Sequence, residues 1–116
     1  MNSSYASLQD QNYSTKRRFL RFPVDRPIAV IQQWEGSPPL TISGRCRVLS
    51  EGGAGAIMTQ QLRVGEVVSL EVAAGMRLYA AVRNLHGFTH GFEFVLVRDS
   101  QREALKRLCR SYLNGL

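Results

Sequence analysis

Short runs of alternating apolar and polar residues, separated by turns rich in glycine and proline, constrain the fold of this sequence most strongly. One run places apolar residues at one parity and polar residues at the other: Ile42, Cys46 and Val48 against Ser43, Arg45 and Arg47. Comparable runs predict about six strands, near residues 28–34, 42–48, 56–58, 68–72, 78–82 and 92–96. The connections are too short for parallel crossovers, so we expect an antiparallel sheet that is closed, or nearly closed, into a barrel.

The periodicity changes at Asp99. From there, apolar residues recur at helical spacing on one face: Ala104, Leu105, Leu108, Cys109, Tyr112 and Leu113. Ser100 and Glu103 have the spacing of a capping box at the start of such a helix. The fold class we predict is therefore mainly β, a six-stranded antiparallel barrel with a C-terminal α-helix.

The length of 116 residues fits one domain. Residues 1–15 are polar and without hydrophobic period, so we expect a flexible N-terminal arm followed by a single domain over residues 16–116. No segment resembles a membrane span or a signal peptide, which predicts a cytoplasmic protein. Cys46 and Cys109 lie in apolar patterns without metal-ligand spacing, so we expect structural, reduced thiols and no metal site.

The formal net charge of +6 favours partners that carry phosphate groups. Eight of the 15 lysines and arginines form two clusters, Lys16, Arg17, Arg18 and Arg21 near the start, and Arg102, Lys106, Arg107 and Arg110 near the end. The second cluster lies off the apolar stripe of the predicted helix, and we interpret it as a solvated face.

The segment Arg17–Arg21 lies between the arm and the first strand. A guanidinium donates two parallel hydrogen bonds to a phosphate or to the O6 and N7 edge of guanine. In an extended chain Arg17 and Arg21 point to the same side, roughly 13 Å apart at 3.3 Å per residue, so both could hold one diphosphate ligand. Phe19 and Phe22 are expected to anchor this segment against the barrel.

Ser50-Glu-Gly-Gly53 forms a turn between two predicted strands. Glycines there permit positive φ angles and allow backbone N–H groups to converge on an anion, while the Ser50 hydroxyl adds a donor or acceptor. Neither this turn nor the arginine segment is specific when taken alone.

The order of these two units, their separation and the barrel pattern that follows resemble the PilZ domain family. The resemblance extends over roughly residues 16–113 and includes His90-Gly-Phe-Glu-Phe94, which is similar to a late strand of that family. In the family, RxxxR and [DN]xSxxG bind cyclic di-GMP. The resemblance therefore implies a non-enzymatic receptor without a cofactor, in which the ligand orders the arginine segment and signals to an unidentified protein partner. The candidate ligand-binding residues are Arg17, Arg18, Arg21, Val48, Ser50, Gly52 and Gly53.

One position departs from the family pattern, because Val48 stands where Asp or Asn is called for. Loss of one such polar contact costs about 1 to 3 kcal/mol, up to about a hundredfold in affinity. This favours, as an alternative, a degenerate PilZ module that binds a protein and no nucleotide. A further alternative, nucleic-acid binding, would use exposed aromatic residues as stacking platforms; the candidates are Tyr13, Phe19, Phe22 and Trp34.

The ionisable residues give little support for catalysis. His86 and His90 flank a predicted turn without a nearby nucleophile or carboxylate, so we expect both to be loop residues. Acidic residues are scattered, and phosphate-binding fingerprints of nucleotide-dependent enzymes are absent.

Overall fold

The structure, a computed structural model, describes residues 19–114. Six strands and one helix form within this range, as the sequence pattern predicts. They are β1 (Phe22–Gln32), β2 (Leu40–Leu49), β3 (Gly53–Met58), β4 (Val67–Ala73), β5 (Met76–His86), β6 (Thr89–Val95) and α1 (Asp99–Asn114).

The strands form a closed antiparallel barrel in the order β1-β2-β3-β6-β5-β4, and β4 pairs back onto β1. Neighbours in sequence are neighbours in the barrel, except that the chain crosses from β3 to β4 through residues 59–66. Closure leaves few open strand edges, because the backbone groups of one strand find partners on both sides. The predicted fold class is confirmed.

Inward-facing side chains from every strand fill the barrel, and α1 covers one end. The fully buried residues include Val30, Cys46, Leu49, Leu70, Val72, Leu78, Val82, His90, Leu105 and Cys109. Leu105 and Cys109 come from α1, so the helix contributes directly to the core. This is the amphipathic stripe that the sequence pattern predicts.

The first strand begins six residues before the predicted start at Ile28 and includes two prolines. Proline cannot donate to a sheet ladder and is tolerated where one side of a strand is unpaired. The pairing of β1 with β4 involves only Ala29 to Ile31, and the ladder with β2 shifts register between Pro23 and Arg26. The prolines therefore lie where β1 has one partner strand.

Side-chain contacts join both ends of α1 to the barrel. At its start, Arg98 N–H donates to Gln101 Oε1 at 2.9 Å, and the Gln101 amide donates to the Arg77 carbonyl at 3.0 Å. Gln101 thus takes the capping position that the sequence pattern assigns to Glu103. At the other end, Arg26 donates to the Tyr112 hydroxyl at 2.8 Å. Within residues 19–114, no helix is long and apolar enough to span a membrane.

Candidate functional site

The turn between β2 and β3 is folded around the hydroxyl of Ser50. Ser50 Oγ accepts hydrogen bonds from the N–H groups of Gly52 and Gly53, each at 3.1 Å. The Ser50 N–H donates to the Gly53 carbonyl at 2.9 Å, and Phe94 N–H of β6 donates to the Gly52 carbonyl at 2.9 Å. The turn is therefore held by hydrogen bonds to Ser50 within the turn and by one hydrogen bond from β6.

The glycines of this turn are required for close packing, and not for the reason that the sequence suggests. Neither Gly52 nor Gly53 has a positive φ, and their N–H groups point at Ser50 Oγ, so the expected converging anion nest is not formed. A Cβ on Gly52 would lie 2.9 Å from the ring of Phe19. A Cβ on Gly53 would collide with the Phe92 carbonyl oxygen on β6. Gly53 therefore has room for hydrogen only, whereas a side chain at position 52 would require the Phe19 ring to shift.

The chain that enters β1 runs directly beside this turn. Phe22 pairs with Leu49 and Pro23 pairs with Val48, so the residues before β1 lie next to Ser50. The contact between Phe19 and Gly52, together with the packing of the partly buried Phe22 against the core, confirms that both phenylalanines anchor this segment. Arg21 lies between them and is exposed. Arg17 and Arg18, like Lys16, lie outside the described residues.

The alternation in β2 predicts that Val48 faces the core together with Ile42 and Cys46. In the structure Val48 does not face the core. The ladder between β2 and β3 shifts register between Cys46 and Val48, and the residue that is buried next is Leu49. A bulge of this kind re-aims the side chains that follow it. Val48 is consequently only partly buried and lies on the outer surface, in the row formed with Pro23 and Gly55.

Next to Val48, the outer surface of the barrel lacks side chains. Gly55 of β3 pairs with Gly91 of β6, and Gly91 pairs with Asn84 of β5. The Asn84 amide lies over Gly91, since a Cβ there would be 2.5 Å from Asn84 Oδ1. We call Gly55, Gly91 and Asn84 the glycine floor. The alternation pattern alone does not predict this floor, although glycines at outward positions of two paired strands are a signal of close approach by another group.

The arginines near this surface differ in whether an acidic side chain pairs with them. Asp25 lies 2.7 Å from Arg45 Nε, and this hydrogen-bonded charge pair lowers the pKa of the Asp25 carboxyl, with a smaller contribution from Arg47. Within residues 19–114, neither Arg21 nor Arg47 forms a salt bridge. Among the described residues, these two exposed guanidiniums have no ion-pair partner at contact distance and are available to an external anion.

The prediction that both histidines are loop residues is wrong, because His86 ends β5 and His90 lies on β6. His90 is fully buried on β6, its Nε2 accepts from Leu62 N–H at 3.0 Å, and its ring stacks on Phe92. Its Nδ1 lies 2.8 Å from the Phe88 carbonyl. Because a backbone N–H can only donate, Nδ1 must carry the ring proton, so His90 is a neutral structural residue. Among residues 19–114, no group of histidine, cysteine or acidic side chains is arranged to hold a metal ion.

These features correspond to a known family. The family model described as PilZ domain matches residues 15–111, which is most of the chain. The chain belongs to the PilZ domain family. This confirms the resemblance carried by the arginine segment and the Ser50 turn.

Solved structures show the same fold. Escherichia coli YcgR in complex with c-di-GMP matches with a TM-score of 0.63 and 20% identity, over 85% of this chain and 46% of that chain. The PilZ domain of YcgR with c-di-GMP matches with a TM-score of 0.63 and 19% identity, over 85% and 92%. The PilZ domain of CeSA from a cellulose synthesizing bacterium matches with a TM-score of 0.58 and 22% identity, over 77% and 93%.

This PilZ chain therefore spans about half the length of the first YcgR chain and most of the isolated PilZ domain of YcgR. A comparison with curated protein sequences gave no match.

Proposed function

We propose that this PilZ domain is a receptor for cyclic di-GMP, which binds between the arginine segment and the outer surface beside Ser50. The observation that carries the proposal is the contact of the Phe19 ring with Gly52. It supports a site in which Arg21 lies beside the turn, with Arg17 and Arg18 on the same segment. Membership of the family supports the same ligand, which is present in the YcgR structures.

The chemistry of the surface suits a cyclic dinucleotide. The arginine forks would neutralise its two phosphates and bond the O6 and N7 edges of guanine. The glycine floor offers, at Gly55, a place without a side chain where a planar base can approach the backbone. The exposed Asn84 amide, which lies over Gly91, supplies both a donor and an acceptor beside it. Val48 supplies packing only, and Ser50, Gly52 and Gly53 hold the shape of the turn.

In this proposal, binding of cyclic di-GMP orders the arginine segment. The ligand prefers the state in which the arginine segment lies on the barrel, and this preference supplies the free energy for switching. The altered surface would then be read by a downstream protein partner in the cytoplasm. In this proposal residues 1–15 form an arm, residues 16–116 form the receptor domain, and no reaction is catalysed.

Isothermal titration calorimetry with cyclic di-GMP at near-physiological salt tests the proposal. We expect micromolar or tighter binding to the wild-type chain and at least a tenfold loss for Arg21→Ala. Arg107→Ala, which removes an exposed arginine from α1, is the matched control and should bind like wild type. GTP should give no heat, because it lacks the two-fold pair of phosphates and bases.

A degenerate PilZ module that binds only a protein partner is the second candidate. It is favoured by Val48, an apolar side chain on the outer surface where the family pattern has a polar one. Absence of heat with cyclic di-GMP at high protein concentration would overturn the receptor proposal in favour of this module. Equal binding by wild type and Arg21→Ala would contradict the arginine site itself.

A further inference from the structure

The outer surface of β1, β4 and β5 carries an apolar patch that the nucleotide site does not use. Ile31, Ser69 and Tyr79 form one row across the three strands, Val67 lies in the next row, and Trp34 follows the end of β1. Trp34, Val67 and Tyr79 are each 56% exposed. We call these five residues the Trp34 face. They line a cleft of about 340 Å³.

The composition of the Trp34 face is typical of a surface that binds another protein. Soluble chains rarely leave contiguous apolar side chains in water, and exposed tryptophan and tyrosine are enriched at protein interfaces, because they bury a large area at low entropic cost. The face lies far from the Ser50 turn. From Phe22, beside the turn, to Gln32, beside the cleft, β1 extends roughly 33 Å at 3.3 Å per residue.

The charges around the Trp34 face are of both signs. Near Trp34, Glu66 is fixed by the Gln32 amide at 3.2 Å and by Arg63 N–H at 3.1 Å. Near Tyr79, Arg77 lies 3.8 Å from Glu71. The whole chain has a net charge of +6, so most approaches of one copy to another are repulsive. At this face the charges are more nearly balanced than over the whole chain, since Glu66 lies at one edge and the ion pair of Arg77 with Glu71 lies at the other.

We infer that the Trp34 face binds a second copy of this chain in a two-fold symmetric dimer. A two-fold axis that lies in the plane of the interface and crosses the strands near Ser69 exchanges the two edges of the face. It brings Glu66 of each copy toward the partner's Arg77, while the apolar rows pack together. A two-fold interface must be complementary to itself, and this distribution of charge satisfies that requirement.

The expected dimer is weak. Three adjacent strands are about 10 Å across at 4.8 Å per strand, so the face and its rim belong to the small class of specific interfaces, below about 1,200 Å² in total. Association in the micromolar range follows, and the exposed aromatic residues should dominate it.

Sedimentation equilibrium of the full chain from low to high micromolar concentration tests the dimer. We expect the average mass to rise from 13.0 kDa toward twice that value. The protein has a single tryptophan, so emission from Trp34 should move to shorter wavelength over the same concentrations. Trp34→Ala and Tyr79→Ala should each weaken association at least tenfold. Phe88→Ala removes an aromatic residue that is 52% exposed at another place and should have no effect.

Charge exchange separates this dimer from a general tendency to aggregate. Glu66→Arg and Arg77→Glu should each weaken association, and the double variant should restore it, because each copy again presents opposite charges to its partner. A single-chain mass at every concentration overturns the inference. So does a dimer that is unaffected by Trp34→Ala, or single charge variants that the double variant does not rescue. None of these results depends on nucleotide binding.

Discussion

At the scale of single residues, the turn between β2 and β3 depends on two glycines, Gly52 and Gly53, which have no side chain. Gly53 allows β3 to lie against β6 at the Phe92 carbonyl, and Gly52 allows Phe19 to lie on the turn. The Ser50 hydroxyl oxygen accepts hydrogen bonds from the backbone N–H groups of both glycines. The candidate ligand surface is therefore built by local backbone geometry before any ligand is present.

Gly53→Ala should destabilise the fold by about 1 to 3 kcal/mol, because the new methyl group collides with backbone that cannot move away. Gly55→Ala is the control on the same strand. Its Cβ would lie 3.6 Å from Val48 Cβ, which is ordinary contact, so its stability should stay within about 0.5 kcal/mol of wild type. Urea unfolding monitored by circular dichroism measures both. Equal stability of the two variants would contradict the close approach at Gly53.

Val48→Asp should strengthen binding of cyclic di-GMP. Val48 lies on the outer surface in the row that leads to the glycine floor, so a carboxylate there can accept hydrogen bonds from a guanine edge or an arginine. A restored charged contact is worth about 1 to 3 kcal/mol, about ten- to a hundredfold in affinity. Val48→Ala controls for loss of packing and should not strengthen binding. Unchanged calorimetric affinity of Val48→Asp would show that position 48 does not touch the ligand.

At the scale of elements, His90 joins β6 to the connection between β3 and β4. His90→Ala should cost about 2 to 4 kcal/mol, because it opens a cavity in the core and leaves Leu62 N–H without an acceptor. The amide of Leu62 should then exchange with solvent much faster. Nitrogen chemical shifts of the ring should show the proton on Nδ1 in wild type. The opposite tautomer would contradict the hydrogen bond from Leu62.

The packing of α1 makes stability fall at high pH. Burial, with smaller contributions from Glu51 and Cys46, raises the pKa of the Cys109 thiol from 9.0 to about 11. Between these values the unfolded chain has lost the proton and the folded chain keeps it, so stability decreases as pH rises through this range. Cys109→Ala should show a shallower decrease than wild type from pH 9 to pH 11. An equal dependence of stability on pH in the two proteins would show that the Cys109 thiol is not buried between α1 and the barrel.

The sequence predicts the elements better than their bounds and their bulges. Alternation in β2 and the helical stripe of α1 report burial directly, so the six strands and the helix could be read from them. The bulge that turns Val48 outward depends on strand pairing, which alternation within one strand does not reveal. His86 and His90 looked like loop residues because they flank a predicted turn, and the partner of His90, the Leu62 N–H, is distant in sequence.

At the scale of the whole molecule, barrel closure couples the candidate site to the stability of the entire fold. The arginine segment enters β1, the turn joins β2 to β3, and the glycine floor spans β3, β6 and β5. All of these strands share one core. Unfolding of a domain this small is expected to be cooperative, so a ligand that binds this surface must be released when the barrel unfolds.

Cyclic di-GMP should consequently raise the thermal midpoint of the whole barrel. At a hundred times the dissociation constant, a ligand that binds only the folded state adds about 2.7 kcal/mol, which for a domain of this length raises Tm by about 10 °C or more. Arg21→Ala should have the Tm of wild type without ligand, since Arg21 is exposed, and should lose most of the ligand-induced shift. Differential scanning calorimetry at fixed protein concentration gives both values. In the wild-type chain, trypsin cleavage after Arg21 should also slow when the ligand is bound. If Tm rises equally in both proteins, the ligand is bound elsewhere on the barrel, because an exposed side chain that contacts the ligand cannot be removed without changing the linkage.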